Sequence, residues 1–373
     1  MRKIKLKYFD RPVINYFNTS FNKKVFISYI TSPFKGNVDK SHSNKLEALK
    51  IAEIFNAFGY QVDIFNYLNV EQKINLDDYD VFFGIGPLYE KIIKNKLKNK
   101  KYIFYATGAY FCFANNAELN RLKKLYERKG VLLNPKRFIK NPTYYALKFS
   151  DAIIMTGNDW TKSTFIYSQE IPKYKVPVSV YEVKWKVDFN KDYSKAKKNF
   201  LWFGSSGLVH KGLDLCIEVF KDLPDYNLFI CGPREDDFFR VYEKELNLPN
   251  IHYMGFMDID SYKFKQIVEK CAFSIFSSCS EGQSGAVLTT MSIGLIPIVT
   301  EMVGVDIQNK GFFVTDDIEE IKRKVIKVSK LPNANLQELS KKNIEFINQN
   351  HRIKHFEKKM KENLLNILGE TNG

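Results

Sequence analysis

Residues 272–300 constrain the fold more than any other stretch. Ala272-Phe273-Ser274-Ile275-Phe276 is an apolar, strand-like run, and the small polar segment SSCSEGQSG follows it. Ala286 to Ile293 then reads as a helix, Gly294 stops it, and Ile296-Pro297-Ile298-Val299 reads as a second buried strand. Strands this apolar, separated by a helix, belong to a parallel sheet covered on both faces. The turn between the first strand and the helix gathers free backbone N–H groups at the positive end of the helix dipole. Such a point suits a phosphate or a sugar hydroxyl, and Glu281 lies at its mouth, where a carboxylate accepts hydrogen bonds from a polyol.

The same alternation runs through the rest of the chain. Lys24–Ile30 reads as a strand, a Gly-containing loop through Ser43 follows, Leu46–Phe58 reads as a helix capped by Gly59, and Tyr60–Phe65 as the next strand: a right-handed βαβ unit. Further strands are expected at 81–86, 101–105 and 151–155, with a helix over 118–129 and another opening at Trp160 with Asp159 as its N-cap. Gly84 and Gly86 form a G-x-G-P that lacks a third glycine, and it reads as a plain turn. Around 176–198 the pattern loosens into prolines, lysines and aspartates, as in a linker. The alternation then restarts with strands at 199–204, 227–232 and 251–255, helices carrying Leu213, Cys216, Ile217, Phe220 and Phe264, Ile267, Val268, Cys271, and a short strand at 312–314. A helical tail over 336–368 repeats apolar residues every three or four positions. The fold class is α/β with two Rossmann-like domains.

Two motifs resemble those of the GT-B glycosyltransferases, in particular the large family 4. One is S-x-x-E-G-x-x-G, a helix, then G-x-x-P-I-V, ending at Val299. The other is Gly204-Ser205-Ser206-Gly207-Leu208-Val209-His210-Lys211-Gly212, which resembles the family segment F-x-G-x…K-G-L-D opening the second domain. The resemblance implies two domains facing a cleft: 1–180 binding the acceptor, 181–345 binding the nucleotide-sugar donor, and 346–373 as a helix returning to the first. It implies catalytic roles for Lys211 at the donor diphosphate and Glu281 at the donor sugar. Donor contacts are expected from Gly204, Ser205, Ser206, His210, Gly232, Pro233, Gln283, Ser284, Gly285, Ala286 and Thr289. Gly36, His42, Thr107 and Gly108 are expected on the acceptor side, with His42 as a third catalytic group. The chain departs from the family at two places. Thr289 stands where a second glutamate usually meets the ribose, and Ser205 and Ser206 stand where an arginine usually accompanies the lysine, with His210 a partial substitute.

Lys211 is followed by Gly and Leu rather than Ser/Thr, so its loop is not a magnesium-binding P-loop. Asp258 and Asp260 form a D-x-D in a helix-capping position and read as structural. No metal or other cofactor is therefore expected beyond the nucleotide-sugar co-substrate. A fixed cation at the leaving phosphate can supply the electrostatic stabilisation instead.

At 373 residues, 45% hydrophobic and 27% charged, the chain has material for two cores. No apolar run approaches a membrane span, and the basic start MRKIKLKYFD lacks a signal-peptide pattern. Five scattered cysteines read as buried thiols, so a cytoplasmic protein is expected, with the inner face of the cell membrane as a site of contact. The net charge of +15 admits an anionic partner. Basic stretches at 91–101 and 121–140 beside Tyr110–Phe113 suit anionic lipid heads, or are ordinary solvated faces. No nucleic-acid motif accompanies the charge. The reading is a glycosyltransferase acting on a glycan, lipid-linked or protein acceptor in surface-polysaccharide or glycoconjugate synthesis. Its rivals are a sugar-nucleotide epimerase, a catalytically degenerate GT-B subunit and a basic nucleic-acid-binding protein.

Overall fold

The computed structural model describes residues 11–369 apart from Asn37, Ser41 and 188–190. The first domain runs β1 (Lys23–Tyr29), α1 (Asn44–Ala57), β2 (Tyr60–Asn66), β3 (Val81–Gly84), α2 (Gly86–Lys94), β4 (Lys101–Ala106), α3 (Phe111–Lys129), α4 (Tyr144–Phe149), β5 (Ala152–Thr156), α5 (Asp159–Ser163) and β6 (Lys173–Val176). The second runs α6 (Tyr193–Ala196), β7 (Asn199–Phe203), α7 (Leu213–Phe220), β8 (Asn227–Cys231), α8 (Asp236–Val241), α9 (Glu243–Leu246), β9 (Ile251–Gly255), α10 (Tyr262–Lys270), β10 (Phe273–Phe276), α11 (Gly285–Ser292), β11 (Ile296–Val299), β12 (Phe312–Phe313) and α12 (Ile318–Ser329). Two long helices, α13 (Asn333–Asn350) and α14 (Ile353–Leu368), end the chain.

Each domain holds one parallel six-stranded sheet, in the orders β2-β1-β3-β4-β5-β6 and β12-β11-β10-β7-β8-β9. Helices cover both faces, which is why β10 and β11 are buried along their whole length and read as unbroken apolar runs. In the first sheet the strand order reverses between β1 and β3, and in the second between β7 and β10. Ligands of open α/β sheets bind at such reversals, beyond the carboxyl ends of the strands. The loops there in the second domain are 204–212 and 277–284.

The helical tail breaks at His351 and Arg352, and its last piece crosses back. Phe356, Met360 and Leu364 of α14 are fully buried in the core formed by α1, β1 and β2. The traffic also runs the other way. Leu122 and Leu125 of α3, a first-domain helix by connectivity, are buried in the core of the second domain with Val209 and Leu213.

Several elements differ from the sequence reading. Gly86-Pro87 opens helix α2 instead of a plain turn, because proline is suited to the first helical turn. The aromatic segment 111–113 is the start of α3. Helix α5 is capped by Asn158, whose side chain accepts from Thr161 N, so Asp159 is its first residue. Lys211 precedes α7: Gly212 is the N-cap, at φ 73°. No described helix is long and apolar enough to cross a membrane.

Candidate active site between the domains

The loop after β7 turns tightly, with Lys211 N donating to Gly207 O at 2.9 Å and Gly212 N to Val209 O at 3.0 Å. Gly212 is required there twice over. Its φ is left-handed, and a Cβ would lie 2.4 Å from the carbonyl oxygen of Ser277 on the neighbouring loop. This close approach brings the two loops of the strand-order reversal together. Lys211 Nζ meets Glu281 Oε1 at 2.6 Å, with the side chains 6% and 13% exposed. Ser278 Oγ donates to the same carboxylate oxygen at 3.1 Å. Burial alone would raise the Glu281 carboxyl, but Lys211, His210 and Arg137 outweigh it and hold it at about 2. Glu281 is therefore a carboxylate throughout the physiological range.

Glu281 sits in a clamped turn. Its N–H donates to Met302 O, and Ser284 N donates to Val303 O, both at 2.9 Å. Ser284 Oγ caps α11 by accepting from Val287 N. Gln283 Oε1 accepts from Val178 N at 2.7 Å, which ties the turn to the segment crossing between domains. Thr289 Oγ1 donates back to Gly285 O at 2.7 Å, so no carboxylate projects at that position of α11. Gly285 and Ala286 form the partly open first turn of the helix. Gly204, after β7, packs on Trp202 and Phe276, and Gly232, after β8, lies against Trp202 and the Gly204 carbonyl. Ser205 and Ser206 are exposed and Pro233 is half-buried.

The acceptor-side residues fall into two groups. Thr107 and Gly108 meet the donor turn directly: a Cβ on Gly282 would lie 2.7 Å from Thr107 O and 2.9 Å from Gly108 Cα. His42 is exposed at the surface. Desolvation of the ring, then Arg137 and Lys211, lower its pKa against the opposing pull of Glu281, so its ring is neutral at pH 7. Its Nδ1 accepts from Asn44 N at 3.3 Å, which places the ring proton on Nε2 as a donor. Lys211, Glu281 and His42 thus act on one another across the domain boundary. Gly36 caps a short turn at φ 82° with open space around it.

His210 has a different place from the other donor-side residues. Nδ1 lies 3.1 Å from Glu118 Oε2 on α3, and Nε2 lies 2.6 Å from Ser280 O. Burial opposes protonation, but the contacts with Cys279 and Glu118 raise its pKa to about 9. Both nitrogens therefore donate to protein, and His210 joins the domains as an imidazolium.

The sequence reading missed several residues that make this joint. Arg121 donates to Ser277 O at 3.1 Å, Arg128 pairs with the fully buried Asp214 at 2.5 Å, and Lys129 bridges Glu218 and Glu245. Lys124 pairs with Asp316, and Thr161 Oγ1 donates to Gly282 O. The four cations Arg121, Lys124, Arg128 and Lys129 belong to the basic stretch 121–140, read from the sequence as facing either lipid heads or solvent, and they are spent between the domains. In the other stretch, Lys96 pairs with Asp151 while Lys91 and Lys100 donate to backbone carbonyls. Asp258 and Asp260 are loop ties: Asp258 Oδ1 accepts from Asp260 N, and Asp260 pairs with Lys40.

Residues 197–330 match the family model described as glycosyl transferases group 1. No curated protein is similar enough in sequence to count as a relative. Among solved structures, the chain is similar to sucrose-phosphate synthase from Thermosynechococcus elongatus, with TM-score 0.66 and 11% identity over 93% of this chain and 99% of that one. It is similar to WaaG, a glycosyltransferase involved in lipopolysaccharide biosynthesis, with TM-score 0.57 and 14% identity over 90% and 98%. It is also similar to HepE from Anabaena in complex with UDP and glucose, with TM-score 0.57 and 10% identity over 92% and 99%. At these identities the structural likenesses show the fold. The chain has the two-domain GT-B fold, and its second domain resembles the family-4-like glycosyl transferases group 1.

Proposed function

We propose that the protein transfers a sugar from a nucleotide-sugar donor to a glycan or lipid-linked acceptor. The observation that carries this reading is the buried Lys211–Glu281 pair at the strand-order reversal of the second domain, facing His42, Thr107 and Gly108 of the first. In such a transfer the bond between the anomeric carbon and the diphosphate oxygen breaks, and its electron pair stays on the phosphate. The acceptor oxygen bonds to the anomeric carbon, and its proton passes to a phosphate oxygen. Negative charge grows on the leaving diphosphate, where Lys211 neutralises it with no metal required. Glu281, ionised and oriented by Ser278, accepts hydrogen bonds from donor-sugar hydroxyls. His42, neutral and with no partner for Nε2 among the described residues, orients an acceptor or phosphate oxygen rather than removing a proton.

HepE, solved with UDP and glucose, and WaaG, named for lipopolysaccharide biosynthesis, support a nucleotide-sugar donor and a surface-glycan product. Residues 131–149 support contact with the cytoplasmic face of a membrane. Leu132, Phe138, Ile139 and Tyr144 are exposed there among Lys136, Lys140 and Lys148.

The test is calorimetric titration with a panel of nucleotide-sugars, followed by release of nucleoside diphosphate in the presence of oligosaccharide and lipid-linked acceptors. One donor is expected to bind, and Lys211→Ala and Glu281→Ala to remove turnover. An enzyme that binds no donor in the panel does not fit this reading.

A further inference from the structure

The departures from the family pattern leave the donor side of the cleft short of positive charge, and its own groups do not make up the deficit. Lys211 and Glu281 form a pair that sums to zero, as do protonated His210 and Glu118. The backbone amides of Gly207 and Leu208 are also spoken for. Gly207 N donates to Glu235 Oε1 at 2.5 Å and Leu208 N to Glu235 Oε2 at 3.4 Å, which adds a negative charge. A diphosphate carries two to three negative charges, and departure of the sugar leaves it with the larger number.

An uncompensated cation at this place comes from the opposite domain. Arg137, on the loop between α3 and α4, lays its side chain on Gly207: a Cβ at 207 would stand 2.6 Å from Arg137 Cγ and 2.9 Å from its Cδ. Its guanidinium is exposed and makes no hydrogen bond or ion pair with any described residue, yet it acts electrostatically on both Glu281 and His42. The loop that carries it is fixed. Glu118 Oε1 accepts from Lys136 N at 2.7 Å and from Arg137 N at 2.8 Å, while the other oxygen of that carboxylate faces His210. A narrow crevice of about 10 Å³ runs beside it, between Glu118 and Lys136 on one wall and Gly207 and Glu235 on the other.

We propose that Arg137, carried across the cleft by the first domain, is the second cation of the donor diphosphate site; this rests on the nucleotide-sugar reading above. An arginine fork matches phosphate oxygens bidentately. A charge supplied by the acceptor domain reaches the leaving group only when the domains are together, so neutralisation and closure are one event. Glu118 is the positioning residue, since it holds the Arg137 backbone and locks to His210 with the same carboxylate.

The experiment titrates UDP, GDP and ADP, and in parallel uridine, guanosine and adenosine, into the full chain and its Arg137→Ala, Arg137→Lys, Lys140→Ala and Lys211→Ala variants. The diphosphate that binds the wild type is expected to bind Arg137→Ala roughly tenfold to a hundredfold more weakly, the range for one charge-assisted contact. The matching nucleoside is expected to be unaffected. Arg137→Lys recovers part of the loss, and Lys140→Ala, which removes the same charge from the same loop, binds as the wild type does. The substituted side chain is exposed and the Glu118 bonds are to backbone, so thermal melting is expected to stay constant. Wild-type affinity in Arg137→Ala beside weakened affinity in Lys211→Ala overturns this inference and leaves the donor reading standing. Equal losses for nucleoside and diphosphate in Arg137→Ala also overturn it, because the contact is then not to phosphate. A wild type that binds no diphosphate overturns the donor reading and this inference together.

Discussion

Lys211 and Glu281 each hold a full charge away from water, and their roles in folding and in chemistry are separable. Removing one partner of a buried pair leaves the other uncompensated, at a cost of about 3–5 kcal/mol. Lys211→Ala is thus expected to melt well below the wild type. The double variant Lys211→Met with Glu281→Gln removes both charges and is expected to regain most of that stability, while turnover stays at least about a hundredfold down. Melting curves and initial rates on the same preparations check this. A double variant with restored turnover makes the pair a structural tie only. His210 is tested by pH. Its folded pKa of about 9 lies above the ordinary 6.5, so its stabilisation is complete below pH 6.5 and fades as pH rises through 9. The loss is on the order of 3 kcal/mol. The groups facing it are Glu118 from α3 and Cys279, the Ser280 carbonyl and Glu281 from the loop after β10. Chemical denaturation of the wild type between pH 6.5 and 9.5 is expected to show this decline, and His210→Asn a flatter profile from a lower start. Parallel profiles exclude His210 as the source.

Helix α3 shows how an element can belong to one domain by connectivity and to another by packing. Leu125 is fully buried in the second domain's core. Its truncation to alanine is expected to cost about 2–5 kcal/mol, and the loss is expected to appear in α7 and β7 as well as in α3. Native-state hydrogen exchange reads the site of the damage, and loss of protection confined to first-domain helices contradicts the packing. The strands around the reversal, β7 and β10, were legible in the sequence because strands buried on both faces carry unbroken apolar runs. The Lys211–Glu281 site was legible because two short motifs mark both of its loops. The charged face of α3 was not. Glu118, Arg121 and Arg128 look like solvated positions, and their partners lie 86 to 156 residues away in the sequence. Arg137 was hidden for the same reason within a merely basic stretch. The available hint was Gly207, a glycine at φ 92° against which a distant side chain can lie.

At the scale of the molecule, contacts from several loops converge on Gly282. Thr107 and Gly108 after β4, Thr156 and Thr161 around β5, and Gly304 after β11 all approach its backbone. The three groups nearest its absent side chain belong to the first domain, although Gly282 belongs to the second. A methyl group there has no room in the closed arrangement: its nearest neighbours, at 2.7–2.9 Å, include the main-chain oxygen of Thr107 and the Cα of Gly108, which are not flexible side-chain ends. Overpacking of this kind costs about 1–3 kcal/mol, and parting the domains relieves it without unfolding either sheet. Gly282→Ala is therefore expected to keep its circular dichroism and to bind the donor diphosphate about as weakly as Arg137→Ala does, since Arg137 then no longer reaches it. Its radius of gyration is expected to exceed that of the wild type, for which a compact chain of this length implies about 21 Å. Turnover is expected to fall by tenfold or more, because Arg137, His42 and Thr107 then stand back from the Lys211–Glu281 pair. Small-angle scattering and rate measurements on one sample decide the matter. An unchanged radius with normal turnover means that the domains tolerate the methyl group, and that catalysis does not depend on the contact they make at this turn.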